Sequence, residues 1–366
     1  MIIEDLLEEV LSIGASDLHL SVGQPPVFRI DGELIKTKYE PIAEKEMETL
    51  LFPMLSNEQR RILEQTWELD FSYGIHGIGR FRVNLYKESG CYAAAFRTIN
   101  VNPPTISSLG LPDVIRECCE LPRGLILVTG PTGSGKTTTL AAMVDYINST
   151  FSQHILTIED PVEFVHKSKK SLIHQRELGL DTRSFANALR AALREDPDVI
   201  LVGELRDLDS IQLAITAAET GHLVLGTLHT SSAAQTIDRV VDVFPEGQQQ
   251  QIRIQLSNAL KAVFAQTLLP KLANEATGEK KGRVLAQEIM LVNSAISNLI
   301  REGKTAQIYS TIQTNIKIGM RTLEMSLADL YKNGTVTYDD ALSRSSRQDE
   351  LKRLMKSTSY NSMTPI

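Results

Sequence analysis

The sequence predicts an α/β protein, a parallel sheet covered by helices, with a smaller α+β domain ahead of it. Three observations predict it. Four short apolar runs, at residues 125–129, 154–158, 199–202 and 222–227, alternate with helix-like stretches, as strands joined by crossover helices do. The first run leads into Gly130-Pro131-Thr132-Gly133-Ser134-Gly135-Lys136-Thr137, which fits G-x-x-x-x-G-K-[ST] at every fixed position, and a helix-like run follows at 138–148. Upstream, Asn102-Pro103-Pro104-Thr105 interrupts the pattern, because proline restricts both itself and the residue before it. The expected organisation is an α+β domain at 1–100, a linker at 101–110, and an α/β domain at 111–366 ending in a helical region.

Each element has its own signal. Leu6, Leu7, Val10 and Leu11 give residues 2–13 helical spacing. Short strands follow at 17–22, 27–30 and 33–35, the last after an Asp31-Gly32 turn. Residues 44–64 read as helix interrupted at Pro53, and 71–73, 79–87 and 92–98 as antiparallel strands. Beyond the four strands of the second domain, helices are expected at 248–266, 293–303, 320–331 and 338–356. Residues 273–283 are polar and Lys-rich, as in a solvated loop, and 357–366 read as a frayed tail. No internal repeat is evident.

The bulk properties narrow the function classes. Of 366 residues, 42% are hydrophobic and 23% charged, as in ordinary globular proteins, and the length suggests two or three domains. The formal net charge of −7 argues against a large nucleic-acid footprint, though a local basic channel remains compatible with it. Cys91, Cys118 and Cys119 lack metal-ligand spacing and read as reduced thiols. The start of the chain is acidic and amphipathic, unlike a signal peptide, and no apolar run approaches the ~18 residues of a membrane span. A cytoplasmic protein is expected, touching a membrane only through partners.

The glycine loop is the strongest chemical signal. Its backbone N–H groups can wrap phosphates, and the next helix adds its positive dipole end. Lys136 would reach the β- and γ-phosphates and the Thr137 hydroxyl would ligate Mg2+. Binding of ATP or GTP is implied. Residues 199–204 form a buried-strand run that delivers Glu204, with glycine at 203 where a Mg2+-linked Asp usually stands. Glu204 is the candidate for polarising the attacking water or a metal-bound water. The strand at 154–158 likewise delivers Glu159-Asp160-Pro161-Val162-Glu163 to the sheet edge where open α/β sheets bind ligands. Glu163 shares the metal- or water-orienting role as an open alternative. His229, at the far end of its strand, could sense the γ-phosphate, whereas His222, at the near end, reads as structural. Arg206 and Asp207 could form an ordinary ion pair. Arg80, Arg82 and Arg97 lie on predicted strands of the first domain, and arginines from another domain or subunit can neutralise transition-state charge. On the residues alone, each reads first as a solvated surface group.

The order of these motifs resembles that of the secretion and type IV pilus ATPase superfamily, the GspE/PilB/PilT group. The shared features are the 130–137 loop, the acidic box Thr157 to Phe164, and the glycine-type strand motif Asp196 to Asp207. They continue with the histidine box Ala217 to Thr230 and with Ala15-Ser16-Asp17-Leu18-His19-Leu20 in the first domain. Ala295-Ile296-Ser297-Asn298-Leu299-Ile300-Arg301-Glu302 is similar to the A-I-R-N-L-I-R-E motif of the retraction branch, with Ser297 in place of arginine. The tetracysteine insert and longer N-terminal region of the assembly branch have no counterpart here.

The resemblance implies a RecA-like P-loop core, a PAS-like N-terminal domain, and a homohexamer that binds ATP and Mg2+ between the two domains of a chain. It implies that Arg82 and Arg97 reach the phosphates and that Glu204 promotes hydrolysis with help from Glu163 and His229. It also implies an inner-membrane platform protein of the pilus machinery as partner and pilus retraction as the output, with no nucleic-acid partner. Two alternatives stay within reach of the sequence, an assembly or secretion ATPase and, from another class, a RecA-like nucleic-acid translocase. A non-hydrolysing nucleotide-binding regulator is disfavoured by Glu204 and Glu163.

Overall fold

A computed structural model describes residues 2–30, 32–75, 78–99, 102–272 and 282–357. The chain divides into two compact units, Met1–Pro103 with Pro161–His166, and Pro104–Asp160 with Lys167–Ile366.

The first unit is a six-stranded sheet with helices on one core. Helix α1 (Ile3–Ser12) buries Ile3, Leu6, Leu7 and Val10, the face its spacing requires. Strands β1 (Asp17–Leu20), β2 (Val27–Ile30) and β3 (Glu33–Lys36) form a meander. The expected 44–64 helix divides into α2 (Glu44–Leu51), a short 3-10 turn holding Pro53, and α3 (Asn57–Thr66). Ser56 and Gln59 close a reciprocal capping box at the start of α3. Strands β4 (Glu68–Ile75), β5 (Gly79–Glu88) and β6 (Cys91–Ile99) complete the sheet in the order β3-β2-β1-β6-β5-β4.

The second unit carries the parallel sheet. After α4 (Val114–Cys119) come β7 (Gly124–Thr129), α5 (Lys136–Thr150), β8 (His154–Glu159) and β9 (Leu172–Glu177). The chain continues through α6 (Phe185–Ala192), β10 (Val199–Val202), α7 (Leu208–Glu219), β11 (Leu223–Leu228), α8 (Ala233–Asp242) and α9 (Glu246–Ala259). An antiparallel hairpin of β12 (Leu260–Lys271) and β13 (Gly282–Leu291) follows, then α10 (Ser294–Arg301), α11 (Ile308–Thr314), α12 (Leu323–Lys332), α13 (Tyr338–Arg344) and α14 (Gln348–Lys356). The sheet order is β13-β12-β7-β11-β10-β8-β9. Successive strand residues feed opposite cores, as the pleat dictates. Leu125 and Leu127 of β7 join α6 to α10 on one face, and Ile126 and Val128 join α4 and α5 on the other. Continuous apolar strands are the mark of a sheet buried on both faces.

Three expectations change. The helix expected at 248–266 ends at Ala259, and Leu260 begins β12. A run apolar on both faces carries no period that separates strand from helix. Strand β9 was not expected because its Leu-Ile-His-Gln-Arg-Glu sequence is mostly polar, as an edge strand can be. The 338–356 helix breaks at Ser345, whose hydroxyl donates to Glu324 and accepts the Arg347 N–H. Most of the polar 273–283 segment and nearly all of the 357–366 tail lie outside the described residues. Among the described residues no helix is long and apolar enough to cross a membrane.

One buried acid sets a pH dependence. Glu288, on β13 and only 5% exposed, accepts the N–H of Ala233, the first residue of α8, at 2.7 Å. Burial lifts its carboxyl from 4.5 to about 7; the Ala233 bond opposes this, Glu324 adds to it and Arg347 subtracts. The folded state therefore holds the proton more tightly than the unfolded chain. Stability is highest below 4.5 on this account and falls as pH rises to about 7, costing on the order of 3 kcal/mol once the group is ionised. Glu288→Gln should leave stability at pH 5 near that of the wild type and raise it at pH 8. Denaturant unfolding at the two pH values checks this, and equal shifts at both would refute it.

Candidate nucleotide site

The loop after β7 is shaped by close contacts that only glycine allows. Gly130 has φ 143°, and a Cβ there would sit 2.2 Å from the Gln266 carbonyl oxygen and 2.6 Å from Ser134 Oγ. Gly133 and Gly135 also take positive φ, and Gly135 is the N-cap of α5. Pro131, Thr132 and Gly133 are exposed, Ser134 is buried, and Gly135, Lys136 and Thr137 are half-buried. Lys136 Nζ donates to the carbonyls of Gly130 (2.8 Å) and Pro131 (3.2 Å), so its ammonium already lies over the loop. The buried hydroxyls of Ser134 and Thr129 have no hydrogen-bond partner among the described residues. Buried polar atoms normally have partners. The start of α5, with Gly135 as its N-cap, presents free N–H groups that fit an incoming phosphate chain.

The other strand ends bring the acids and bases to the same edge. The pairing of β10 with β11 continues past Val202: the Thr227 hydroxyl donates to the Gly203 carbonyl, and the Leu205 N–H donates to the Thr227 carbonyl at 3.0 Å. Glu204 is thereby pinned on both sides. Its Oε1 lies 3.2 Å from His229 Nε2 and its Oε2 lies 2.8 Å from Arg206 Nη2. Arg206 also reaches Asp160 at 3.5 Å. Partial burial pushes the Glu204 carboxyl up, but the Arg206 hydrogen bond and charge, with His229, outweigh it and hold it below its usual value. The Arg206–Asp207 pair left open by the sequence does not form; Asp207 instead caps α7, accepting from the Ser210 N–H and hydroxyl, both at 2.8 Å.

Glycine at 203 also has a steric reason. A Cβ there would meet Glu159 Cα and the Ile158 carbonyl oxygen, both at 3.3 Å. Glu159 is buried and accepts from the Thr157 hydroxyl (2.6 Å) and the Gln175 amide (3.2 Å). Glu163 is exposed and groups with the first unit, whereas Glu204 and His229 belong to the second.

In the first unit, one row crosses the sheet: Arg29, Asp17, Arg97, Arg82 and Ser72 are successive partners on β2, β1, β6, β5 and β4. Arg82 and Arg97 are thus direct cross-strand neighbours, a like-charge arrangement that is unfavourable by itself. Asp17 offsets it, with Oδ1 2.8 Å from Arg97 Nε and Oδ2 3.8 Å from Arg29. Burial pushes the Asp17 carboxyl up, yet the Ser16 and Arg97 hydrogen bonds and the Arg97 charge bring it below its usual value. Arg80 donates to Ser72 Oγ at 2.8 Å.

Comparison with known proteins matches residues 1–343 to the family described as type II/IV secretion system protein. The chain belongs to the type II/IV secretion system protein family. It is 52% identical over 341 residues to the type IV pilus retractation ATPase PilT of Pseudomonas aeruginosa, covering 93% of this chain and 97% of that one. It is 48% identical over 326 residues to a twitching motility protein of Neisseria gonorrhoeae, covering 89% and 86%. A crystal structure of the pilus retraction motor PilT with bound ADP superimposes with a TM-score of 0.89 at 49% identity, covering 96% of this chain and 99% of that one. The parallel-sheet unit is the RecA-like core of this secretion ATPase family.

Two further residues of this family member take structural roles. His222 Nδ1 donates to the Ala217 carbonyl at 2.9 Å and closes the end of α7, far along β11 from His229. Ser297 donates its hydroxyl to the Ser257 carbonyl at 2.9 Å, tying α10 to α9 while Ile296 and Ile300 bury the other side. Sequence reasoning missed Asp17 as the partner of Arg97, Arg206 as the clamp on Glu204, and Gln266 beside the loop. Each contact joins segments or rotamers that spacing does not reveal. Arg206→Gln should free Glu204 to follow its burial, so its carboxyl titrates at higher pH than in the wild type. Carboxyl-carbon NMR titration reads this directly; an unmoved midpoint would remove Arg206 as the cause.

Proposed function

We propose that this chain is the ATP-hydrolysing motor of type IV pilus retraction, working as a homohexamer. The observation that carries the reading is its near end-to-end similarity to a pilus retractation ATPase. The intact 130–137 loop and the ionised, clamped Glu204 at the same sheet edge support it chemically.

The roles follow from the groups present. The N–H groups of Thr132, Gly133, Gly135, Lys136 and Thr137 cradle the phosphates, while those of Gly130 and Ser134 donate to the Leu228 and Pro131 carbonyls and hold the loop. Lys136 exchanges its loop carbonyls for phosphate oxygens. Thr137 and the carboxylates at the edge are oxygen donors of the kind Mg2+ prefers; when bound, Mg2+ neutralises charge on the phosphates. Glu204, ionised at neutral pH, orients the attacking water and accepts its proton. His229, hydrogen-bonded to Glu204, follows that change of charge, and Glu163 contributes a second acid from the acidic box. Arg82 and Arg97 supply positive charge from the first unit to the developing transition state. Turnover moves the units only insofar as ATP binds one arrangement more tightly than another. The motion acts at the cytoplasmic side of the inner membrane on a pilus platform protein and returns pilin subunits to the membrane.

Two experiments test the reading. Glu204→Gln should keep ATP affinity within about twofold while turnover falls about 10²–10⁴-fold, the range for losing a positioned base. Equilibrium binding and steady-state ATPase assays on the same preparation separate the two effects, and undiminished turnover would remove Glu204 from the mechanism. A strain lacking the protein should carry excess pili and lose twitching. Bald cells would instead assign it to assembly.

A further inference from the structure

Beneath the phosphate-binding loop lies a buried amide network. Gln266, on β12 and 3% exposed, donates from Nε2 to the Ser134 carbonyl at 3.0 Å. The Thr139 hydroxyl, in the second turn of α5, lies 3.2 Å from the Gln266 Oε1. Behind it, Gln287 is the register partner of Gln266 on β13, is 5% exposed, and donates to Oε1 at 3.4 Å. The Gln287 main-chain N–H donates in turn to Ser326 Oγ of α12 at 3.1 Å. The amide cannot be turned over, because a carbonyl only accepts and so Nε2 must face Ser134. The same residue's main-chain oxygen makes the close approach that excludes any side chain at Gly130.

We infer that Gln266 is a positioning residue for nucleotide binding, holding the Ser134–Gly135 peptide so that the Gly135 N–H faces the phosphates. The reason is the geometry of the peptide unit. In a planar trans peptide the C=O and N–H point in opposite directions. Anchoring the Ser134 carbonyl against Gln266 therefore aims the Gly135 N–H away from β12, toward the open side of the loop. A loop rich in glycine has many backbone conformations to choose from. An anchor that selects one of them reduces the ordering cost charged against phosphate binding. Gln287 keeps Gln266 from rotating, and Ser326 extends the same support to the C-terminal helices. Loss of the anchor weakens binding of the ground state and transition state alike, which appears in KM rather than in kcat.

The inference rests on the nucleotide reading of the loop, and the test separates the two. The full-length chain is titrated with Mg-ADP by calorimetry, and ATPase kinetics and thermal unfolding without nucleotide are measured alongside. Gln266→Leu should raise the ADP Kd and the ATP KM about tenfold, the size of one net hydrogen bond, with kcat changed less than twofold. Gln266→Glu keeps the size of the side chain. Its ionised form cannot donate to Ser134, so at pH 8 its Kd and KM should rise at least as far as those of Gln266→Leu. If either variant lowers the unfolding temperature while Kd and KM stay at wild-type values, Gln266 only fills the core and the inference fails. If the wild-type chain does not bind Mg-ADP, the nucleotide reading falls and takes this inference with it.

Discussion

The parallel ladder that pairs Val202 with Ile158 on one side and Gly226 on the other, and Leu228 with Thr129 beyond, determines where the phosphate-binding loop, Glu204 and His229 lie. Parallel strands end at a common edge. Here that edge receives the loop after Thr129, Glu204 two residues after Val202, His229 directly after Leu228, and Glu159 at the end of β8. A slip of one residue in β10 would move Glu204 by about 3.3 Å and turn its buried neighbours to the wrong face. Ile200 and Val202 pack into one core and Val199 and Leu201 into the other, so β10 is held from both faces.

Within that frame, precision comes from short-range devices. Thr227 brackets Glu204 through one side-chain and one main-chain bond. Gly226 permits Leu205 to approach, since a Cβ there would sit 3.0 Å from Leu205 Cδ1. Electrostatics then tune what sterics have placed. Glu204 is held ionised despite partial burial because Arg206 and His229 both face it, whereas Glu288 keeps its proton more readily because it is almost fully buried, with Glu324 nearby, and the Ala233 N–H only partly offsets this. Two carboxylates of the second unit thus shift in opposite directions according to their burial and neighbours.

The glycine loop, the four central strands and the acids at their ends were legible because each is a local pattern. Loop spacing, apolar runs and the residue that follows a strand all lie within about ten residues. The β12–β13 hairpin was not legible, since a strand buried on both faces has no alternation to read. Partnerships across the chain were also hidden. Gln266 meets Ser134 across 132 positions and Arg97 meets Asp17 across 80. Arg206 stands next to Asp207 in sequence yet turns to Glu204, because Asp207 is already committed to the start of α7. The serine at 297 looked like a lost charge in its motif; in three dimensions it is a fastening between two helices.

The missing side chain at 203 also limits how the site can change over time. With β8 backbone 3.3 Å from the place a Cβ would occupy, an aspartate there would press on β8 and require it to give by a few tenths of an ångström. Strand β8 would have to withdraw first, carrying Glu159 and its Thr157 and Gln175 contacts with it. In this chain the acids at the edge accordingly come from positions other than 203.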